Sequence, residues 1–512
     1  MVQLLPDFAY IFLSSTYTLE PRPGLHPIPG TQPLTLEAAI CPPLLYYVAL
    51  LFLAPPPPQE LRSIALTLLR NALALLAAFV FFRLPLAYHV PQSIGLTYQL
   101  GLIGLYGGAG VLDRFFICPY LLGHIPRRVR YHHVSRPETP NETKALTDGG
   151  APMQKGLHVE GADTGTKVTN ALPQAVSQSD LAENMNNDTY SQILSNMFKG
   201  PTPKPVFETA TTEDGWPHSF ADRASWAFEL ELSMRGVGFT WTTADVRHTK
   251  KTWLPTVGNR VHSLLMHTGP VLVVGLVVIR YVYVNYFQAL EENGPNGLHD
   301  YEGSPFDDIL PFWLQILLTA AMGAFLMAAF SFGHSLAAIA MSSLAPSPLA
   351  FFPTLYTTPV WKIQSVRGFW SHGWHRLFAR LFLVWGVWPG QWLERKLTGK
   401  SKDQPADIGK VLGGFLSSAF VHSFSVRGVL GGRWADAKNE AAFFALNGVA
   451  VIVEEVIKRA VLKYRKENKM PAEMWYDAWI GRVWWIGVLL MTGRNFARGW
   501  TKSSLIREMA FM

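Results

Sequence analysis

Two histidines stand among apolar and aromatic residues in the C-terminal half of the chain. His375 lies near the end of the polar and aromatic run 365–376, and His422 lies in the apolar stretch 413–424. Imidazoles are costly to place among lipid-facing residues, and their ordinary pKa of about 6.5 suits proton transfer near neutral pH. The pair therefore indicates acid–base chemistry within a membrane.

The surroundings of the two histidines differ. On a helix, His422 has Ser418 one turn before it, and small neighbours would leave space beside the ring. His375 follows the bulky side chains of Phe369, Trp370 and Trp374. The alternatives are structural: His422 as a hydrogen-bonded core histidine, and His375 within an interfacial aromatic belt.

Composition favours an all-α, polytopic membrane protein. Apolar residues make up 49% of the 512 positions and charged residues 16%, against about 25% charged in soluble domains. The net charge is +7, but the basic residues gather in loops between apolar runs, which predicts no nucleic-acid partner. The two cysteines form no metal motif.

Apolar runs predict about eight to nine membrane segments of roughly 20 residues or a little less. Segments of 10–14 residues are more often buried or re-entrant, so residues 369–424 are expected to form a partly buried region on the cytosolic side. The predicted organisation is N-terminal transmembrane segments over 1–122, a cytosolic loop of little fixed structure over 123–225, and a membrane domain over 226–512.

Loop charges predict an orientation. Residues 290–309 hold several acids and no Lys or Arg, so we expect them on the lumenal side. Arg494 and Arg498 follow the last apolar run and are expected on the cytosolic side, as is the region of His375.

For three further features we favour a structural interpretation over a functional one. The glycines between Gly101 and Gly110 indicate close helix packing rather than phosphate binding. Glu454 and Glu455 are expected to pair along their own helix rather than support the histidines. Asp113 and Arg114 are expected to lie paired at the membrane interface.

Three motifs together resemble a known family. They are Arg367-x-Phe369-Trp370-x-x-x-Trp374-His375, then Phe415-x-x-Ser418-x-x-x-His422, and, upstream, Arg235-Gly236-Val237-Gly238-Phe239-x-Trp241. The set resembles the fungal and plant wax-synthase-like branch of the membrane-bound O-acyltransferases, over roughly residues 225–500. The chain departs from that pattern at Phe239, where Trp is usual, and at His372-Gly373, where basic residues are frequent.

The resemblance implies roles for these residues. His422 matches the general base, which takes the proton of an acceptor hydroxyl as its oxygen attacks an acyl thioester. His375 matches a second polar position that orients the acceptor or stabilises the oxyanion. The remaining candidates are Arg367, Arg427 and Trp374 for the CoA donor, with Arg433 weaker, and Phe369, Trp370 and Ser418 for the acceptor.

The resemblance also implies an activity: acyl transfer, with acetyl-CoA as the first expectation for the donor and a hydrophobic alcohol such as a terpenoid as acceptor. It implies a multi-pass protein of the endoplasmic reticulum with no bound cofactor or metal. The alternatives are a long-chain wax-ester or sterol-ester synthase and, in another class, a transporter or scaffold. Transporters often have related halves, and no repeat is visible here. The H-x-x-x-D match from His218 to Asp222 is expected to be fortuitous.

Overall fold

A computed structural model describes residue 21 and residues 24–53, 64–133, 207–209, 216–240, 257–341 and 355–511, without 124, 129, 130, 218, 238, 294–296, 357, 402, 403 and 406. Most of the predicted loop 123–225 lies outside these residues. The described part is predominantly helical, which confirms the all-α prediction.

Five of the described helices are long and apolar enough to cross a membrane, and each matches an apolar run predicted from the sequence. They are α1 (Leu36–Leu53), α2 (Ile64–Ala87), α3 (Ile94–Leu121), α5 (Arg260–Asn293) and α6 (Phe312–Met341), with α4 (Phe220–Leu232) between them in the chain. Helix α3 is π-helical from Asp113, and α5 contains two π-helical turns. These helices support an integral membrane protein.

The C-terminal helices carry more polar residues than those five. They are α7 (Trp388–Thr398), α8 (Asp407–Arg427), α9 (Lys438–Glu467), α10 (Asp477–Lys502) and α11 (Leu505–Ala510). Shorter helical pieces are Pro305–Ile309, Val366–Gly368, Phe369–Gly373, Ala379–Phe382, Leu383–Val387 and Trp434–Ala437. The strands form two small pairs: β1 (Gln32–Pro33) with β2 (Tyr88–His89), and β3 (Tyr131–His133) with β4 (Phe207–Thr209).

Helix α8 packs antiparallel to α9 over the full length of α8. Asp407 at the start of α8 pairs with Arg459 near the end of α9, 3.0 Å apart. Near the other end of α8, Ser423 donates to the carbonyl of Ala437, just before α9, at 3.1 Å. A helix of 21 residues is about 30 Å long. The apolar run 411–424 is thus part of a longer helix, whose first turns are polar. That residues 369–424 form a partly buried region on the cytosolic side stays a prediction.

Residues 366–398, which we call the hairpin, enter the body and return to the same end. At its beginning, the backbone N–H of Val366 donates to Glu454 in the second half of α9, at 2.7 Å. At its far end, Glu394 accepts from the backbone N–H of Gly409 in the first turn of α8, at 2.5 Å. Between these ends, Phe378 packs in one cluster with Val421, near the opposite end of α8. The re-entrant interpretation therefore fits the hairpin.

The C-terminal end of α10 lies beside the acidic segment that precedes α6. Asp307 accepts from Arg494 at 3.1 Å and from Arg498 at 2.5 and 2.8 Å. The expectation that this segment and these arginines lie on opposite sides is therefore wrong. Loop charge was misleading because the arginines end a helix and neutralise the acid, rather than forming a free basic loop.

The glycines of α3 serve helix packing, as favoured from the sequence. A Cβ atom at Gly104 would lie 2.6 Å from the ring of Pro85 in α2, and one at Gly108 would meet the ring of Phe82 at the same distance. On the other side of α3, a Cβ at Gly101 would lie 2.6 Å from the Cα of Ser425 in α8. Helix α3 is thus held between α2 and α8.

Candidate active site

His422 lies in the penultimate turn of α8, where the close approach at Gly101 presses α8 against α3. This approach brings the Tyr98 hydroxyl, one turn before Gly101, to 2.7 Å from Nδ1 of His422. Tyr98 is 6% exposed and His422 is half-buried. The engaged Nδ1 leaves Nε2 as the ring nitrogen that can meet a reactant.

Aromatic side chains from two other helices enclose the His422 ring. Phe444 of α9 stacks on it, with ring centroids 4.5 Å apart and an interplanar angle of 22°. Phe496 of α10 meets it edge-on at 6.2 Å. Helices α3, α8, α9 and α10 thus converge on one imidazole in an apolar setting.

His375 lies in the hairpin, two residues after the end of the π-helical turn Phe369–Gly373. Its ring centroid is 4.5 Å from that of Phe330 in α6 and 4.9 Å from that of Trp374. Its Nδ1 is buried and has no hydrogen-bond partner among the residues that the structure describes. A buried polar atom without a partner in the protein calls for an explanation, and a catalytic role is one of them.

The structure brings the two histidines into one region. A chain of ring contacts joins them: Trp374 lies beside His375 and 6.0 Å from Trp370, and Trp370 lies 5.9 Å from Phe444, which stacks on His422. The ring of Phe378 lies 6.1 Å from that of His375, and Phe378 packs with Val421, the residue before His422. The two imidazoles therefore line the same aromatic-walled part of the molecule, which we call the histidine site.

The predicted acceptor-side residues Phe369 and Trp370 build the wall of this site. Phe369 stacks on Trp485 of α10 at 5.6 Å and 14°. Trp370 packs edge-on against Phe415 and lies 5.9 Å from Phe444, which itself stacks on His422. Both rings are therefore fixed by packing.

A buried amide fixes Trp370 further. Trp370 Nε1 donates to Asn447 Oδ1 at 3.1 Å, and Asn447 Nδ2 donates to the hydroxyl of Thr492 at 2.9 Å. Asn447 is fully buried. This bridge between the hairpin, α9 and α10 was missed from the sequence, although a lone amide in an apolar helix is a signal that could have found it.

The two arginines predicted to contact the donor lie far apart. Arg367 pairs with Glu455 in the second half of α9, at 3.5 Å. Arg427 ends α8, donates to the Gly432 carbonyl and covers the Trp434 ring at 5.2 Å. They lie toward opposite ends of the body, so the structure does not bring them to one phosphate group.

The other predicted residues lie at or near the histidine site. Trp374 contacts His375, and its ring is tilted against that of Phe369 at 5.8 Å. Ser418 is buried one turn before His422. In the upstream motif, Phe239 is fully buried and packs edge-on against Trp226, at 6.4 Å; Gly238 and Trp241 lie outside the described residues.

Of the two acidic residues predicted to pair along their own helix, Glu455 does so with Arg459, at 2.8 Å. Glu454 has a further role that the sequence did not predict. It accepts from the backbone N–H groups of Val366 and Arg367, and so positions the start of the hairpin.

Asp113 pairs not with its neighbour Arg114 but with Arg380 of the hairpin. Two hydrogen bonds of 2.8 and 2.9 Å join them, and both side chains are buried. Tertiary contact, not sequence adjacency, thus selects the partner of Asp113.

The H-x-x-x-D match lies only partly within the described residues, because His218 is outside them. Asp222 receives a hydrogen bond from Arg128, which also donates to Glu229 at 2.9 Å. Asp222 therefore takes part in an ion pair, and the interpretation of the match as fortuitous stays a prediction.

Comparison with known proteins agrees with the geometry. Residues 352–446 match the family model described as membrane bound O-acyl transferase family. This segment contains the hairpin, all of α8 and the start of α9, and hence both histidines. The match supports the membrane-bound O-acyltransferase superfamily.

One curated relative is similar to part of the chain. It is acetyltransferase eriL of Hericium erinaceus, 26% identical over 145 residues, which are 28% of this chain. The aligned segment spans 37% of that relative's length. The likeness supports an acyltransferase over this part of the sequence.

Proposed function

We propose that this protein is a membrane-bound O-acyltransferase that transfers an acetyl group from acetyl-CoA to a hydroxyl group of a hydrophobic alcohol, such as a terpenoid. The observation that carries the proposal is the placement of His422 and His375 in one aromatic-walled site, within the segment that matches the acyltransferase family. Apolar walls suit an acceptor that reaches the site from the bilayer.

His422 is the proposed general base. Its Nε2 takes the proton of the acceptor hydroxyl while that oxygen attacks the thioester carbonyl carbon. The tetrahedral intermediate then collapses, the C–S bond breaks, and the CoA thiolate leaves and recovers the proton from His422. One imidazole can serve both transfers because its proton affinity lies near neutrality.

His375 is the proposed donor to the oxyanion. Its Nδ1 lacks a partner in the described protein, so an N–H there could bond the oxygen that becomes negative. Its ring is held by Phe330 and Trp374, which limits its movement during the reaction. We assign Phe369, Trp370 and Ser418 to the acceptor wall, and Trp374 and Arg367 to the donor side.

The choice of acetyl rests on the acetyltransferase relative and on the resemblance to the wax-synthase-like branch. A long-chain wax-ester or sterol-ester synthase is the alternative, and it differs only in the room left for the acyl chain. We propose that the protein lies in the endoplasmic reticulum membrane. The two ends of the hairpin, near residues 366 and 398, would then face the cytosol, because acyl-CoA is available there.

The test is acyl transfer by microsomes that contain the full chain. Radiolabelled acetyl-CoA or palmitoyl-CoA is supplied with farnesol, ergosterol or hexadecanol, and ester product is extracted and counted. We expect product with acetyl-CoA, and a loss of at least about 1,000-fold in His422→Ala, since base removal costs this much in comparable acyl transfers.

His267→Ala is the matched control, because His267 is exposed on α5 and far along the chain from the site. It should transfer like the parent. Product from palmitoyl-CoA alone would favour the long-chain alternative. An unchanged rate in His422→Ala, or no product with any pair of substrates, would overturn the acyltransferase proposal and favour a transporter or scaffold.

A further inference from the structure

A buried amide in α9 has no role in the mechanism above. Asn447 is fully buried, and its Oδ1 accepts from Trp370 Nε1 at 3.1 Å. Its Nδ2 donates to the Phe443 carbonyl at 2.8 Å and to the Thr492 hydroxyl at 2.9 Å. Because an indole N–H can only donate, the amide must present its oxygen to Trp370 and its N–H groups to the other two. A buried polar network whose members are satisfied in this way specifies one arrangement, and it therefore fixes the Trp370 ring.

The residue after Asn447 fixes Trp370 from another side. A Cβ atom at Gly448 would lie 3.0 Å from the Phe415 side chain, so the glycine lets α8 and α9 approach closely there. Phe415 in turn packs edge-on against Trp370, with ring centroids 5.6 Å apart. On α9, the ring of Phe443 lies 5.9 Å from that of Trp370. The indole is therefore held by a hydrogen bond and by rings from two helices, which leaves it little freedom to turn.

Trp370 is the middle ring of the contacts that join the two histidines. Its ring lies 6.0 Å from that of Trp374, which contacts His375, and 5.9 Å from that of Phe444, which stacks on His422. In the proposed reaction the acyl carbonyl carbon lies between the imidazoles, because its oxygen faces His375 and His422 holds the attacking hydroxyl. The acyl chain starts at that carbon and hence beside Trp370. We call the space between the histidines and this ring the acyl pocket.

We propose that Trp370 is the end wall of the acyl pocket and that Asn447 is the positioning residue that holds it there, so that the site accepts an acetyl group and excludes longer acyl chains. The inference rests on the proposed acyl transfer. Trp370 borders the acceptor as well, because the acyl group and the acceptor oxygen become bonded to one carbon. A longer chain must displace the indole and break its bond to Asn447, which leaves a buried amide unsatisfied and slows transfer roughly 10- to 100-fold.

The experiment measures kcat/KM for acetyl-CoA and for hexanoyl-CoA in microsomes that contain the full chain, and its readout is the ratio of the hexanoyl value to the acetyl value. The acceptor is the alcohol that the parent esterifies fastest. Trp370→Ala removes the wall and should raise this ratio at least about tenfold, as expected when a pocket gains room for methylene groups. Trp392→Ala is the matched control, because Trp392 lies in the same hairpin with an exposed side chain, and it should keep the parent ratio.

Asn447 is tested by its coupling to Trp370. Asn447→Leu removes the hydrogen bond, so the indole can turn aside and the ratio should rise about three- to tenfold. Thr492→Val removes only the hydroxyl that braces the amide; it should raise the ratio about twofold, and it tests the network even if Asn447→Leu does not fold. Because Asn447 acts through Trp370, adding Asn447→Leu to Trp370→Ala should not change the ratio further. Leu446→Ala, at an exposed neighbouring position of α9, is the control.

The outcomes separate this inference from the proposed function. If the parent transfers acetyl groups and His422→Ala does not, but Trp370→Ala or Asn447→Leu keeps the parent ratio, the end wall is refuted and the acyltransferase stands. Equal use of hexanoyl-CoA and acetyl-CoA by the parent, or a further rise of the ratio in the double variant, would also refute it. If the parent forms no ester with any donor, the failure belongs to the proposed function.

Discussion

The hydroxyl of Tyr98 and Nδ1 of His422 are 2.7 Å apart, although their residues lie on different helices and far apart in the chain. The contact exists because α3 and α8 touch almost backbone to backbone at Gly101 and Ser425. Helix packing thereby decides which nitrogen of the proposed base faces the reaction.

Gly101→Ala should uncouple this pair. A methyl group there would lie 2.6 Å from the Cα of Ser425, so α3 and α8 must move apart, at a cost of about 1–3 kcal/mol of stability for such overpacking. We expect a lower melting temperature in detergent and a lower kcat in the acetyl-transfer assay. Gly323→Ala in α6 is the control, because a Cβ there meets no atom within 4 Å. Equal behaviour of the two variants would contradict this account.

Arg380→Leu should destabilise the attachment of the hairpin to α3. It leaves the buried Asp113 carboxylate without its bidentate partner, and breaking such a pair typically costs about 3–5 kcal/mol. Removing both charges in Asp113→Leu with Arg380→Leu should cost less than the single change, because no unpaired charge remains. Thermal unfolding of the detergent-solubilised protein measures both. A double variant less stable than Arg380→Leu would disprove the explanation.

Asp307 should make stability depend on acid pH. Burial alone would raise the pKa of its carboxyl, but hydrogen bonds from Arg498 and Ser304 and the charges of Arg498 and Arg494 outweigh burial and hold the pKa below its usual value. A lowered folded-state pKa stabilises the protein above the unfolded value of about 3.9, and this contribution is lost as the pH falls through the folded-state pKa.

The measurement is the melting temperature in detergent between pH 6 and pH 3, a range set around the aspartate value of about 3.9. The parent should lose stability toward the acid end more steeply than Asp307→Asn, which has no such proton to gain. Asp308→Asn is the control: its carboxylate accepts from the Ser304 backbone N–H and has no arginine contact among the described residues. Identical pH slopes for the parent and Asp307→Asn would argue against the assignment.

The amino-acid sequence alone predicts an all-α membrane protein and directs attention to both histidines as candidate site residues. Apolar runs of sufficient length predict the five membrane helices, because a long apolar helix has few alternatives to burial in lipid. The spacing of aromatic residues before His375 likewise predicts a wall, and Trp370 and Phe369 do form one.

Which side chains contact one another follows from the packing of the helices. The contacts of Tyr98 with His422 and of Asn447 with Trp370 join residues that are far apart in the chain, and the sequence does not show which partner each one meets. The same packing pairs Asp113 with Arg380 rather than with its neighbour Arg114, and it pairs Asp307 with Arg494. Hydropathy and loop charge report how each segment interacts with solvent and lipid, whereas hydrogen bonds and ion pairs require two groups within a few ångströms, which packing alone provides.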